Sequence, residues 1–343
     1  MPERNPYYQG PPSDHFDGVR FFVPRHDIRA TAQDLRRWRQ ERDRRPWPKM
    51  VRNGSFPPPS ERLADGLSVT FIGHATALIQ TAGLNILTDP FFSRRASPTQ
   101  LAGPTRARPP GVALADLPPI DVVLVSHNHY DHMDLPAIRR LHDAHGPRIL
   151  TPLGNAAILR RARRRLNVTE GDWEQSFAVG NNVTVTLTPA VHWSKRGLHD
   201  DNMALWCAFR IEGPSGSVYF AADTGYGTGE HFRAIRRRFG PPDLALLPIG
   251  AYEPRWFMRP RHMCPDDAVK AHLDLGAGSS VAIHHGTLQL TDEGMDEPAA
   301  VLDTALKAYG VEEGAFRVLE AGESWRPFEK VRIEEAPRQR RKA

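Results

Sequence analysis

Apolar positions through the middle of the chain fall into two patterns. Short runs of β-branched and aliphatic residues read as strands at 68–72, 77–81, 85–88, 121–126, 183–188, 204–211, 217–222, 244–249, 280–284 and 316–319. Amphipathic spacings read as helices at 135–145, 154–166, 230–239, 265–275 and 297–309. Strands precede or alternate with helices in both halves, which predicts an α/β or α+β layered fold. No short-period repeat interrupts this order.

The ends read differently. Residues 1–66 form an N-terminal extension with proline patches at 46–48 and 57–59 and a helical stretch at 28–44. Its aromatics, Tyr7, Tyr8, Phe16, Phe21, Phe22, Trp38 and Trp47, predict an arm that packs onto the main domain. The main domain is expected over 67–330, and a basic, frayed tail over 331–343.

Composition narrows the class. A length of 343 residues allows one large α/β domain or two smaller ones, with a core that needs no disulfides. An apolar share of 40%, with 27 Gly and 31 Pro, excludes a disordered or fibrous chain. No apolar run approaches the roughly 18 residues that cross a bilayer. The opening Met-Pro-Glu-Arg-Asn-Pro-Tyr-Tyr has no signal-peptide core, so a soluble, cytoplasmic protein is expected. Two cysteines, Cys207 and Cys264, against 15 His mean that any metal site is built from imidazole and carboxylate.

The net charge of +5 is segregated: residues 1–50 carry +4, residues 338–343 another +4, and the body between them −3. A body of that sign does not fit a nucleic-acid surface, and no specific nucleic acid is expected. The arginine runs at 160–165 and 236–238 lie on helix-like patterns and read as solvated helix faces.

The strongest chemical signal follows a strand. Asp121-Val-Val-Leu-Val runs into Ser126-His127-Asn128-His129-Tyr130-Asp131-His132-Met133-Asp134. Histidines two apart in an extended turn can face one point. Asp131 and His132, where a helix starts, can face a second one. Imidazole and carboxylate are ligands that Zn²⁺ accepts. A dinuclear site needs further ligands at other strand ends, and His192, Asp223 and His284 each follow a predicted strand.

This order of ligands resembles the metallo-β-lactamase fold superfamily. The segments Phe71-Ile-Gly73-His74-Ala75-Thr76, Leu87-Thr88-Asp89-Pro90, His192-Trp193-Ser194, Ala222-Asp223-Thr224-Gly225 and Ile283-His284-His285-Gly286-Thr287 narrow the likeness. With the 126–132 motif they look like the N-acylphosphatidylethanolamine-hydrolysing phospholipase D branch, over about residues 65–320. The resemblance implies a four-layer αβ/βα sandwich holding two Zn²⁺ per chain. His127, His129 and His192 would bind one ion, and Asp131, His132 and His284 the other. Asp223 would bridge them, and Asp131 and Asp223 would hold a bridging hydroxide. His74, Asp89, Tyr130, Trp193 and His285 would sit behind the ligands or face substrate; Trp193, like Trp206, is also read as core.

Two Zn²⁺ against Asp131, Asp223 and a hydroxide would leave roughly one positive charge, which favours a monoanionic phosphodiester. The segment Pro248-Ile-Gly250-Ala-Tyr252-Glu253-Pro254-Arg255-Trp256-Phe257-Met258 also matches the branch. There Tyr252 would donate to a substrate oxygen and Arg255 would hold an anion. The aromatics would line an acyl pocket or pack as core. The glycines of Gly225-Tyr-Gly227-Thr-Gly229 lack dinucleotide-binding spacing and would let the backbone approach the metals.

The leading expectation is therefore a zinc phosphodiesterase of phospholipase D type. Its substrate would be a phospholipid met at the inner face of a membrane, by peripheral contact. The resemblance also implies a homodimer. The alternatives are a lactonase or carboxylic-ester hydrolase, a nuclease on the same site, or a metal-stabilised binding module.

Overall fold

The structure, a computed structural model, describes residues 4–26 and 30–328. The basic tail at 331–343 and the first residues of the helix expected at 28–44 lie outside the described residues. That helix, α1, is observed at Ala32–Glu41, where Thr31 and Asp34 cap it reciprocally.

Two seven-stranded mixed sheets form the body. The first is built from β1 (Leu67–Gly73), β2 (Thr76–Thr81), β3 (Leu84–Thr88), β4 (Val122–Leu124), β5 (Arg148–Pro152) and β6 (Val168–Gly171). The second takes β7 (Ser176–Gly180), β8 (Val183–Thr188), β9 (Ala208–Gly213), β10 (Gly216–Phe220), β11 (Leu244–Pro248), β12 (Ser279–Ile283) and β13 (Phe316–Arg317). The last strand, β14 (Ser324–Trp325), crosses back to pair with β1 in the first sheet. Each sheet begins as an antiparallel meander and ends in parallel strands, from β3 to β6 and from β10 to β13.

Period-two alternation sets the layers. Val69, Phe71, Ile79, Ile86, Val122 and Leu124 meet Val185, Leu187, Phe209, Val218, Leu246 and Ile283 between the sheets. Residues of opposite parity in the first sheet, such as Leu78, Leu87 and Val123, turn outward. They pack on Ala137, Ile138 and Leu141 of α2 (Leu135–His145) and on Ile158 and Leu159 of α3 (Asn155–Leu159). On the second sheet, Tyr219, Ala245 and Leu247 pack outward on α4 (Glu230–Phe239), α6 (Pro265–Leu275) and α7 (Glu297–Tyr309). The short α5 (Arg255–Met258) lies in the loop after β11. The result is a four-layer αβ/βα sandwich.

Several expected elements changed. The helix expected at 154–166 stops at Leu159, because five arginines crowd positions 160–165 and like charges destabilise a helix. Those arginines occupy turns, not a helix face; Arg236, Arg237 and Arg238 do close α4. Residues 204–207 are buried but unpaired with a neighbouring strand: Leu205 N–H donates to Leu153 O and Cys207 N–H to Ser126 O, tying the second half to loops of the first. β5, β6 and β7 had no strand expectation. The last two are partly exposed, so no continuous apolar run marks them.

The N-terminal arm is anchored by aromatics. Phe16 and Phe21 are fully buried beside Leu205, Trp206 and Tyr219, worth about 2 kcal/mol each. Farther along, α1 buries no residue of its own, yet Trp38 stacks on Phe257 at 5.2 Å and its indole donates to Asp292 at 2.8 Å. Among the described residues no helix is long and apolar enough to cross a membrane.

Candidate metal centre

The carboxyl ends of the strands converge on one edge of the sandwich. Five residues just past strand ends hold left-handed backbone without being glycine: His74 (φ 59°), Asp89 (30°), Ala222 (51°), Ala251 (60°) and His284 (60°). Each such conformation costs about 1–3 kcal/mol and persists only where surroundings enforce it. Here the two sheets lock each other: His284 N–H donates to His74 O at 2.7 Å, and His74 N–H to Thr287 Oγ1 at 2.9 Å.

The 126–134 loop is held from both sides. Asp134 caps α2 through Ala137 N–H and accepts from Phe92 N–H, Ser93 N–H and Ser93 Oγ. Arg196, half-buried, donates to Asn128 O and Met133 O, each at 2.9 Å, and lies over the Tyr130 ring. Tyr130 donates its hydroxyl to Arg196 O, so it braces the loop.

Two groups of side chains form on this scaffold. In one, His127 Nε2 and His192 Nε2 lie 2.8 and 3.4 Å from His129 Nδ1. In the other, Asp131 Oδ2 lies 2.9 Å from His74 Nε2, 3.5 Å from His132 Nε2 and 3.7 Å from His284 Nε2. Asp223 stands between them. Its Oδ2 is 3.3 Å from His132 and 3.6 Å from His192, and its Oδ1 is 3.2 Å from His284. Outer partners fix two of the rings: His192 Nδ1 faces Arg261 O at 3.0 Å, and His132 Nδ1 faces Asp89 at 2.7 Å.

Charges in this pocket sort by neighbour. Burial pushes His127 and His192 well down, His129 to about 4, and His74 and His262 to about 3. Burial opposes charge at His132 and His284 too, but Asp223 and Asp131 outweigh it; His132 rises well above its usual value and His284 to about 9. Burial alone would raise Asp131 and Asp223, yet the His132 charge holds both well below the usual carboxylate range.

The donor set fits divalent cations. His129 Nε2, His132 Nε2, Asp223 Oδ1, His262 Nδ1 and His284 Nε2 are buried without hydrogen-bond partners. Unpartnered buried polar atoms are costly; four of these, all but His129 Nε2, lie against the imidazole–carboxylate cluster and match what a metal would satisfy.

Other expected residues sit elsewhere. His285 stacks on Phe71 at 5.3 Å and lies outside both groups. Trp193 is half-buried with its edge against His129, whereas Trp206 is core. Tyr252 is buried, its hydroxyl pushed up by burial and by Glu297 and Glu293. Arg255, expected to hold an anion, is spent on Asp267 at 2.6 Å and on His262 O at 3.2 Å. Phe257 and Met258 pack as a small core with Ala251, while Trp256 is partly exposed under Arg37. Gly225, expected to let the backbone approach the metals, is crowded instead by the Pro260 backbone: a Cβ there would meet Pro260 O at 2.7 Å.

Sequence reasoning missed His262. Its ring lies 5.0 Å from that of His192, and its Nδ1 is 3.9 Å from Asp223 Oδ2. It follows a short helix rather than a strand, so the strand-end signal that marked the others is absent.

Two facing mixed sheets with a His/Asp cluster across their carboxyl edge define a metallo-hydrolase of the β-lactamase fold. The chain belongs to the beta-lactamase superfamily: residues 84–285 match its Beta-lactamase superfamily domain. It is 41% identical over 271 residues to the N-acyl-phosphatidylethanolamine-hydrolyzing phospholipase D 1 of Caenorhabditis elegans, covering 76% of each chain. It is 36% identical over 239 residues to the mitochondrial N-acyl-phosphatidylethanolamine-hydrolyzing phospholipase D of Saccharomyces cerevisiae, spanning half of that protein. In fold it is similar to an isothiocyanate hydrolase from Delia radicum gut bacteria, with a TM-score of 0.59 at 22% identity over 75% of this chain and 98% of that one.

Proposed function

We propose that the chain is a dinuclear zinc phosphodiesterase of phospholipase D type, acting on N-acylphosphatidylethanolamine-like phospholipids. The observation that carries this reading is the position of Asp223, within 3.6 Å of both His192 and His132. His127, His129 and His192 would hold one ion, Asp131, His132 and His284 the other, and Asp223 would serve both. A metal pair supplies Lewis-acid charge and lowers the pKa of a water toward about 7. His74 holds Asp131 Oδ2 in place, and Asp89 and the Arg261 carbonyl orient His132 and His192. His262 keeps a neutral ring against Asp223. The names of the nematode and yeast relatives support the lipid substrate.

The same reading carries a homodimer in the cytoplasm that meets the inner membrane face peripherally. Its test is metal analysis followed by a substrate panel on the zinc-loaded protein. About two zinc per chain is expected, with turnover of N-acylphosphatidylethanolamine and bis-aryl phosphate that is lost on chelation and restored by Zn²⁺. Turnover of a lactone or of single-stranded RNA alone would overturn it.

A further inference from the structure

A cavity of about 600 Å³ lies between the N-terminal arm and the loop after β3. The arm contributes Arg42, Arg44 and Lys49 to its lining, and the loop Arg94 and Arg95; no carboxylate lines it. Charges that are far apart in the sequence are thus gathered on one space.

Little of this charge is neutralised. Arg42 pairs with Asp292 at 3.0 Å. Arg44 donates to Gln289 O at 2.7 Å and Arg95 to Gly103 O at 2.6 Å, both uncharged acceptors. Lys49 and Arg94 are exposed, with no side-chain hydrogen bond or ion pair among the described residues. The crowding is felt: burial and the Arg42 charge draw the Arg44 guanidinium below its usual pKa. Four positive charges without a counter-charge repel one another, and an anion between them removes that cost.

The walls are set by hydrogen bonds that do not depend on an occupant. Trp47 donates its indole to Glu293 O at 2.9 Å, Arg45 N–H donates to Asp292 O at 2.9 Å, and Val51 N–H to Ala107 O at 2.7 Å. Trp47 and Leu290 add apolar surface. The volume falls in the range of small-ligand pockets, well beyond one water or one monovalent ion. None of the lining residues belongs to the His/Asp cluster, although Gln289 and Leu290 continue the loop that carries His284.

We propose that this cavity is a second anion site, binding a phosphate-bearing ligand with two or more negative charges outside the metal centre. Such a ligand comes either from the headgroup of an anionic lipid or from a soluble polyphosphate. Calorimetry on the full, metal-loaded chain would use dioctanoyl phosphatidic acid and inorganic pyrophosphate as probes. The double variant Lys49→Gln, Arg94→Gln removes only unpaired charges, so its melting temperature and its hydrolysis of bis-aryl phosphate should match the parent. Binding of at least one probe should weaken about tenfold in the variant. Phosphatidic acid as the more affected probe assigns the lipid source; pyrophosphate assigns the soluble one. Both probes binding the variant as tightly as the parent would overturn the proposal, leaving the metal centre to account for anion binding.

Discussion

Asp89 Oδ2 lies 2.7 Å from His132 Nδ1, and both side chains are fully buried. The same carboxylate accepts from Ser126 N–H at 2.7 Å and Ser126 Oγ at 2.6 Å. It therefore fixes the His132 ring with Nε2 facing Asp131 and Asp223 while pinning the start of the 126–134 loop. Asp89→Asn keeps the size but loses the negative acceptor. Metal affinity, read by competition with a chromogenic chelator, should fall about 10–100-fold. An unchanged affinity would mean that the pair supports only the fold.

The raised pKa values of His132 and His284 have a consequence for loading. Without metal both rings carry protons near neutrality, His284 up to about 9. A divalent cation must displace those protons, so apparent affinity should climb as pH rises from about 6 toward 9. Calorimetric titration with Zn²⁺ at pH 7, in buffers of different ionisation enthalpy, should reveal proton release. Identical heats in every buffer would contradict this charge assignment.

Much of the His/Asp cluster was legible because its residues obey one rule: each follows a strand. His127, His129, Asp131 and His132 are also contiguous, and a cluster of imidazoles stands out. His262 breaks the rule, and only packing brings it to His192. Arg255 misled for a related reason. Its partner Asp267 is twelve residues away on the next helix, and a sequence does not show which charge has already been spent. The arginine run at 160–165 was misread because helical spacing ignores repulsion within one face.

Gly250 is a site where backbone contact positions chemistry. A Cβ built there would fall 2.1 Å from His284 O. The obstacle is backbone, so no side chain can move aside. Gly250→Ala should push the His284 turn outward and break the His284 N–H to His74 O bond. The expected result is a lower metal content per chain than the parent and a loss of about 1–3 kcal/mol of stability. Full metal content in a stable Gly250→Ala protein would show that the two segments can separate without moving His284.

The arm carries its own pH-dependent clasp. His15 Nε2 lies 2.8 Å from Asp172 Oδ1, its Nδ1 lies 2.6 Å from Asp14 Oδ1, and its ring stacks on Trp173 at 4.4 Å. Burial lowers the His15 pKa, but the two carboxylates outweigh it and the net shift is upward. Asp172 shifts downward: its own burial opposes this, and the His15 hydrogen bond prevails. A raised histidine stabilises fully below its unfolded pKa of about 6.5, and the benefit is lost as pH climbs through the folded value. A lowered carboxylate stabilises above its unfolded value of about 4, and the benefit is lost as pH falls through the folded one. The clasp is therefore strongest between about pH 4 and 6.5. His15→Gln should cost on the order of 1 kcal/mol at pH 6 and less at pH 9. Limited proteolysis of the arm, compared between parent and variant at the two pH values, measures that difference directly. An equal gap at both would mean that His15 holds the arm by stacking on Trp173 and not by charge.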